Sequence, residues 1–298
     1  WAEVAAGTWE PALLAFVRWA VRPQETVVLD IGAWLGAVSL FAALAGARAV
    51  HAVEPDPKAF LLLAAHARAN PALPLWPLRA CASASAGRAE LRGIGDSTSR
   101  VRLVGSEASA AAQGRDHKSP RLQERSPVEE EEHARERWPT YSVACRSFAD
   151  LAAMALSGRS GVTPPGHLLV KVDVEGHEVA LAASIATTLR HWREAGAELD
   201  LVLSLHAHVL PPGTYGPEFW RALAELARCF RWARVVDPRA QGQEGSLLPC
   251  GHCDVQLSSG RARPPALGVP GAGPSVPAEA LASSLLRLAD EGRPGRVR

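Results

Sequence analysis

The stretch Thr26–Pro57, TVVLDIGAWLGAVSLFAALAGARAVHAVEPDP, decides the fold of this chain. Val27, Val28 and Leu29 form a short apolar run with no polar face, the pattern of a parallel strand buried on both sides. The run ends in Asp30-Ile31-Gly32-Ala33-Trp34-Leu35-Gly36 and passes straight into Val38–Ala45, whose apolar residues suit a helix packed on a sheet. A second strand, Ala49–Val53, ends in Glu54. Glycines at a strand-to-helix turn let backbone approach a ligand, and the helix N-terminus adds unpaired N–H donors. An acid at the tip of the second strand can accept both hydroxyls of a ribose. The stretch predicts a nucleoside-cofactor site.

The choice of nucleoside follows from the spacing. Gly32 and Gly36 make G-x-x-x-G, with no third glycine to complete the dinucleotide fingerprint G-x-G-x-x-G. The chain has no G-x-x-x-x-G-K-[ST] either, which removes the P-loop reading. Asp30 before the turn repels phosphate and suits a cofactor with a cationic amino-acid end. That chemistry points to S-adenosylmethionine.

Outward from this stretch, Trp9–Val21 reads as an amphipathic helix with Pro11 in its first turn, a helix that could pack beside the cofactor mouth with Glu10 at its entry; Glu10 reads first as a helix N-terminal acid. Lys58–Asn70 has helical spacing, and Leu75–Ser83 reads as a third strand interrupted by Pro77, with Ser83 near the adenine side. Ala89–Leu91 makes a short extension. Residues 106–138 hold few apolar side chains and the acid run Glu129–Glu132, and read as a disordered insertion. Order resumes at Tyr141–Ala144. His167–Val174 is a strong strand ending in Asp173-Val174-Glu175-Gly176, followed by helix His177–Glu194 and strand Leu201–Leu205. A helix over Pro217–Cys229 and strands Ala233–Val236 and Asp254–Leu257 follow, the last pair joined without a helix. The pattern predicts an α/β fold of about seven strands, mostly parallel, with an antiparallel last strand and helices on both faces. One domain is expected over 1–259. A Gly/Pro-rich linker and a short helix over Ala278–Ala289, docked or wandering, are expected over 260–298.

With 298 residues, 47% hydrophobic and 21% charged, the chain has the composition of a soluble globular protein with one sizeable core. A net charge of +1 supplies no footprint for nucleic acid. No uninterrupted apolar run is long enough for a bilayer. The default compartment is the cytoplasm, and the opening residue, Trp1, leaves room for an upstream targeting or anchor segment. The five cysteines do not read as a disulfide framework, and Cys250-Gly251-His252-Cys253, which precedes a strand, reads as a loop of adventitious thiols.

Together these residues resemble the FkbM family of S-adenosylmethionine-dependent methyltransferases, over roughly Thr8–Ser258. VVLDIGAWLG is similar to the family's glycine turn, HAVEPDPKAF to its acidic second-strand tip, ACASASAGRAEL to its third strand and hairpin, and LVKVDVEGHE to K-[IV]-D-[VI]-E-G-x-E. The resemblance implies a class I (Rossmann-like) methyltransferase with S-adenosyl-L-methionine held by Asp30, Gly32, Ala33, Trp34, Gly36, Glu54, Pro55, Asp56 and Ser83. Two positions depart from the family's pattern. Trp34 stands where Asn is common, and Ser204 stands where the fifth strand often carries an acid two positions before a histidine.

Asp173 and Glu175 fall beyond the carboxyl end of their strand, where open α/β sheets bind ligands. Methyl transfer to a hydroxyl needs orientation and a base for the proton. Asp173 is the first candidate and Glu175 the second, with Glu175 alternatively bracing the loop. His206 and His208 on the neighbouring tip offer another base, or contacts to substrate. Two carboxylates and two imidazoles could also ligate a divalent cation, although no metal site is assigned. The expected reaction is O-methylation of a small molecule or sugar. The alternative is a non-catalytic nucleoside-binding or interaction module.

Overall fold

The computed structural model describes residues 2–6, 8–93, 100–103, 139–157, 166–206, 214–236, 253–260, 264–265, 272 and 274–291. The expected insertion at 106–138, most of the expected linker, His208 and Cys250–His252 lie outside them.

In chain order the elements are α1 (Ala2–Ala5), α2 (Pro11–Ala20), β1 (Thr26–Ile31), α3 (Ala37–Leu44), β2 (Ala49–Val53), α4 (Pro57–Ala69), β3 (Leu75–Leu78), β4 (Cys81–Ser83), β5 (Gly87–Arg92) and β6 (Arg100–Leu103). They continue with β7 (Thr140–Ser147), α5 (Phe148–Ser157), β8 (His167–Val172), α6 (Glu178–Glu194), β9 (Glu198–Leu205), α7 (Pro217–Arg228), β10 (Trp232–Val236), β11 (Cys253–Ser258), β12 (Val276–Pro277) and α8 (Ala278–Glu291).

The main sheet runs β12-β10-β11-β9-β8-β1-β2-β3. β1 pairs in parallel with both β2 and β8, so the chain reverses its winding direction at β1. β11 is antiparallel to both its neighbours, β9 and β10. This is the class I, Rossmann-like methyltransferase arrangement. Where the sequence predicts about seven strands, the sheet has eight among the described residues, because two residues of the expected linker add an edge strand on β10. Two strands run against the rest: β11, inside the sheet between β9 and β10, and β12, at the edge beside β10.

All six residues of β1 and of β8 are buried, and their side chains alternate between two cores. Val27, Leu29, Ile31, Leu168, Val170 and Val172 face the layer of α5, α6, α7 and α8. Val28 and Leu169 face Leu13, Phe16 and Val17 of α2 and Val38 and Ala42 of α3. At the amino ends, buried His167 bridges Thr26 Oγ1 at 2.7 Å and Asp200 Oδ2 at 2.9 Å, satisfying polar groups that would otherwise be stranded. The C-terminal helix docks: Leu281, Ala282, Leu285 and Leu288 of α8 pack in the same core as Leu223 and Ala227 of α7.

The expected third strand is broken after Leu78. Pro77 sits on edge strand β3, where a missing N–H is tolerated, while Cys81–Ser83 belongs to a second sheet of order β4-β7-β5-β6. There the register sets Cys81 beside Cys145, with Cα atoms 4.4 Å apart, and the two form a disulfide. Cys253 is disulfide-bonded as well. The reading of the cysteines as unpaired thiols is corrected on both counts. Pairing of β4 with β7 unites residues that lie 64 positions apart, a juxtaposition that cysteine counting does not reveal. Among the described residues the free thiol is Cys229. Alkylation of the unfolded, unreduced protein followed by mass spectrometry should therefore label Cys229 and leave Cys81, Cys145 and Cys253 unmodified. Labelling of Cys81 and Cys145 would refute the pairing.

Candidate active site

The turn after β1 is built on left-handed backbone at Gly32 (φ 77°), Trp34 (φ 49°) and Gly36 (φ 89°). Gly32 is obligatory, since a Cβ there would overlap the carbonyl oxygen of Asp173 beyond β8. This close approach brings the β1 and β8 tips together. The N–H groups of Gly32 and Ala33 donate to the Val53 carbonyl at 2.9 and 3.0 Å, tying the turn to β2.

A left-handed tryptophan is costly, and its return is visible. The Trp34 N–H donates to Glu54 Oε2 at 2.8 Å, and the Asp56 N–H donates to Glu54 Oε1 at 2.7 Å. Two backbone donors thus fix the Glu54 carboxylate at the tip of β2. Burial pushes its pKa up to about 7, against the downward pull of the two N–H groups. Pro55 separates the two acids, and Asp56 caps α4, its Oδ1 accepting from the Lys58 and Ala59 N–H groups at 2.8 and 3.2 Å. Ser83, expected near the adenine as the tip of the third strand, lies instead on β4 of the second sheet, where it is buried and its hydroxyl donates to the Ser85 carbonyl.

Asp30 and Lys171 are register partners on β1 and β8 and point to the same face of the sheet. Lys171 Nζ lies 3.3 Å from Asp30 Oδ1, 3.4 Å from Asp173 Oδ2 and 2.7 Å from the Gly32 carbonyl. Burial opposes its charge, but Asp30 and Asp173 outweigh that and hold it as an ammonium. Asp30 also accepts from Ser39 Oγ at 2.6 Å. Its charge is met inside the protein, so it sets the turn from beneath rather than offering an unmatched charge to a ligand.

β8 ends at Val172, and Glu175 is left-handed (φ 51°). The turn brings Asp173 and Glu175 together with His206 at the tip of β9: Nε2 lies 3.3 Å from Asp173 Oδ1 and 3.8 Å from Glu175 Oε1. The carboxylate side chains are 25% and 20% exposed and the imidazole 3%, so the acids face the mouth and the ring backs them. The ligand atoms of these three residues fall within 4.8 Å of one another. Two positive charges, Lys171 and His206, already stand against Asp173. Burial works against the imidazolium, but Glu178, Asp173 and Glu175 overcome it and raise the His206 pKa to about 9.

Four residues outside the sequence-based assignment complete the cluster. Glu178 accepts at Oε1 from the His206 backbone N–H at 2.8 Å and from the Tyr215 hydroxyl at 2.5 Å. Asp254 of β11 is the register partner of Ser204 and accepts from its hydroxyl at 2.7 Å. The fifth-strand position that departs from the family pattern is thus answered by an acid across the ladder. Burial raises Asp254 to about 6. Glu10, read as a helix-terminal acid, has left-handed backbone (φ 41°) and senses Asp173, Asp254, Lys171 and His206; burial first, then the acids, raises it to about 8. Glu178 was within reach of the sequence as the last acid of K-V-D-V-E-G-H-E, whereas Tyr215 and Asp254 carry no spacing signal.

A separate cleft lined by Arg190, Arg193, Glu194, Glu225, Arg228 and Cys229 lies between the C-terminal ends of α6 and α7, at the opposite edge of the sheet. Among the described residues no helix is long and apolar enough to cross a membrane.

Compared with known proteins, the chain matches no family model and no curated sequence. Among solved structures it is similar to a methyltransferase FkbM from Methylobacillus flagellatus, with 13% identity over 67% of this chain and 42% of that one, at a TM-score of 0.32. It is similar to WbdD, with 13% identity over 84% of this chain and 40% of that one, at 0.39. A SAM-dependent methyltransferase from Agrobacterium tumefaciens is 15% identical over 87% of this chain and 62% of that one, at 0.35. The chain thus spans less than half the length of the first two. At such scores these likenesses carry no weight on activity, and the fold rests on the strand order itself.

Proposed function

We propose that the chain is an S-adenosylmethionine-dependent methyltransferase acting on a hydroxyl of a small molecule or sugar. The observation that carries this reading is the shared carboxyl edge of β2, β1, β8 and β9. It holds a fixed ribose-type acceptor, Glu54, and an acid–imidazole pair, Asp173 and His206, with Lys171 felt by both acids.

The residues present fit the cofactor. Glu54 offers a carboxylate already oriented by two backbone donors, and the turn through Gly32, Ala33, Trp34 and Gly36 leads from the tip of β1 into the start of α3 beside it. Asp56, next to Pro55, caps α4 behind Glu54, and Asp30 supports the turn through Ser39 and Lys171. When bound, the cofactor supplies an electrophilic methyl on a sulfonium centre. The chain's own part is to orient the acceptor hydroxyl and remove its proton. His206, an imidazolium at neutral pH, donates rather than accepts, so Asp173 takes the proton. Glu175 lines the mouth beside it. Two disulfides, Cys81–Cys145 and the one that holds Cys253, also lead us to propose an oxidising compartment, since such bonds are rare in the cytosol.

The test is calorimetric titration with S-adenosylhomocysteine. Binding is expected, and Glu54→Ala should weaken it by about 1–3 kcal/mol, the cost of leaving buried partners unsatisfied. The pH dependence has a defined sign. A pKa of about 7 means that Glu54 is protonated below neutrality and accepts both ribose hydroxyls only above it. Affinity should therefore rise about tenfold between mildly acidic and mildly basic buffer, in proportion to the ionised fraction, and Glu54→Gln should flatten the profile. Tight NAD binding with none for S-adenosylhomocysteine would overturn the reading.

A further inference from the structure

Glu178 is the first residue of α6 and its side chain is fully buried. A buried carboxylate costs several kcal/mol unless its oxygens are met by donors. Here they are met. Oε2 accepts from the Gly176 N–H at 2.8 Å. Oε1 accepts from the His206 backbone N–H and the Tyr215 hydroxyl, and lies 3.5 Å from His206 Nδ1. The positive end of the α6 dipole favours the same anion. Burial alone would raise the Glu178 pKa, but its bonds to His206 and Tyr215 bring it below the usual carboxylate value.

The ring of His206 is therefore enclosed by acceptors on both sides. Nδ1 faces Glu178, and Nε2 faces Asp173 and Glu175. A neutral ring would set one lone pair against a carboxylate, whichever tautomer it chose. Only the doubly protonated ring presents a donor to each. The other groups near it are the Tyr215 hydroxyl ahead of α7, Lys171 from β8, Asp254 from β11 and Glu10 at the start of α2. Of these only Lys171 opposes the imidazolium. Tyr215 is itself anchored on Phe219 and Trp220 of α7, with ring centroids 4.5 and 5.5 Å away, so the hydroxyl cannot swing from Glu178 without disturbing that packing.

We propose that Glu178 and Tyr215 are positioning residues that hold His206 as a fixed imidazolium, which with Lys171 clamps Asp173 so that the acceptor proton goes to Asp173 and not to the ring. The inference deepens the methyl-transfer reading and rests on it for the acceptor. Its structural content stands separately: one carboxyl oxygen of Asp173 faces Nε2 and the other faces Nζ, and the clamp orients both. Loss of Glu178 removes the acceptor that holds the Nδ1 proton, so the ring loses its second proton nearer neutrality. A ring that keeps Nδ1–H and gives up the proton on Nε2, the nitrogen beside Asp173, then competes with Asp173 for the acceptor's proton.

The experiment is a nitrogen-15 NMR titration of the histidine rings in the full chain with S-adenosylhomocysteine added, His206 being assigned from the signal lost in His206→Gln. In the unsubstituted protein the ring should stay doubly protonated past neutrality, with a midpoint near 9. Glu178→Gln should lower the midpoint by about one unit or more, and Tyr215→Phe by less, with affinity for S-adenosylhomocysteine unchanged in both. Turnover of Glu178→Gln should gain a pH limb in the neutral range that the unsubstituted enzyme lacks. A His206 ring that is neutral at pH 7 in the unsubstituted protein overturns the proposal without recourse to any variant. So does a midpoint that Glu178→Gln leaves in place. Should Glu178→Gln fail to fold, the Tyr215→Phe shift and the unsubstituted titration still decide. An imidazolium retained in a chain that binds no S-adenosylhomocysteine supports the clamp and overturns the methyl-transfer reading instead.

Discussion

Replacing Asp173 by Asn should lower turnover about 10²–10⁴-fold, the usual worth of a positioned general base, while affinity for S-adenosylhomocysteine stays nearly unchanged. The amide keeps the shape of the carboxylate and can still accept from one of its two cationic neighbours, Lys171 at 3.4 Å and His206 at 3.3 Å. It has no basic oxygen to receive the acceptor's proton. Because Asp173 lies beyond β8 and Glu54 at the tip of β2, the cofactor's ribose contacts are spared. His206→Gln should cost less, since the ring orients Asp173 and does not take the proton. Initial rates with labelled cofactor and calorimetry on the same preparations check both. Equal losses in the two variants would move the base to His206. A loss in Asp173→Asn matched by lost cofactor affinity would make Asp173 a binding residue.

The largest effect on stability should come from Gly32→Ala. Gly32 has φ 77°, and the added Cβ would run into the Asp173 carbonyl oxygen, a backbone atom that cannot move alone. Strained backbone costs about 1–3 kcal/mol and overpacking about 1–3 kcal/mol more, so a total of about 2–6 kcal/mol is expected. For a chain of ordinary marginal stability that is a large share of the whole. Urea unfolding followed by circular dichroism measures it. The same change at Gly36 meets the end of the Leu63 side chain, with Cδ1 2.6 Å away, and should cost less because that group can rotate. Equal stability of Gly32→Ala and the parent chain would show that the β1 and β8 tips do not approach as described.

The two residues also mark how much was legible beforehand. Gly32 and Glu54 announce themselves by position, since a glycine turn after an apolar run and an acid after the next strand are local features of the chain. The buried strands β1, β8 and β9 were equally plain as continuous apolar runs, and their order of alternation with helices set the fold class. Lys171 was different. Alternation along β8 leaves open whether it faces Asp30 or turns away. The β1–β8 register settles it, because Asp30 and Lys171 are partners on one face. Asp254 and Ser204 teach the same lesson on β9 and β11.

The cysteines show what a count conceals. Cys81 and Cys145 read as thiols in a chain with an odd total and a good core, yet β4 and β7 set them side by side in a second sheet that no apolar period predicts. Glu10 had two readings in the sequence, an acid at the entry of a helix beside the cofactor mouth and, ahead of it, a plain helix-terminal acid. Packing of α2 against β11, seen in the Gln256 side chain reaching the Ala12 carbonyl at 3.4 Å, carries it to the carboxyl edge among Asp173, Asp254 and Lys171.

By itself, then, the sequence determined the βαβ unit, the glycine turn, the acid on the second strand and the acids beyond β8. Each of these depends on residues a few positions apart, whose apolar periods and backbone requirements act locally. Tertiary structure alone decided which charges meet. The Lys171 bridge, the Glu178–Tyr215 hold on His206, the Ser204–Asp254 pair and the Cys81–Cys145 bond all join segments distant in the chain. Strand register and helix packing place them, and a shift of a single residue in register would turn each partner that sits on a strand to the opposite face of the sheet.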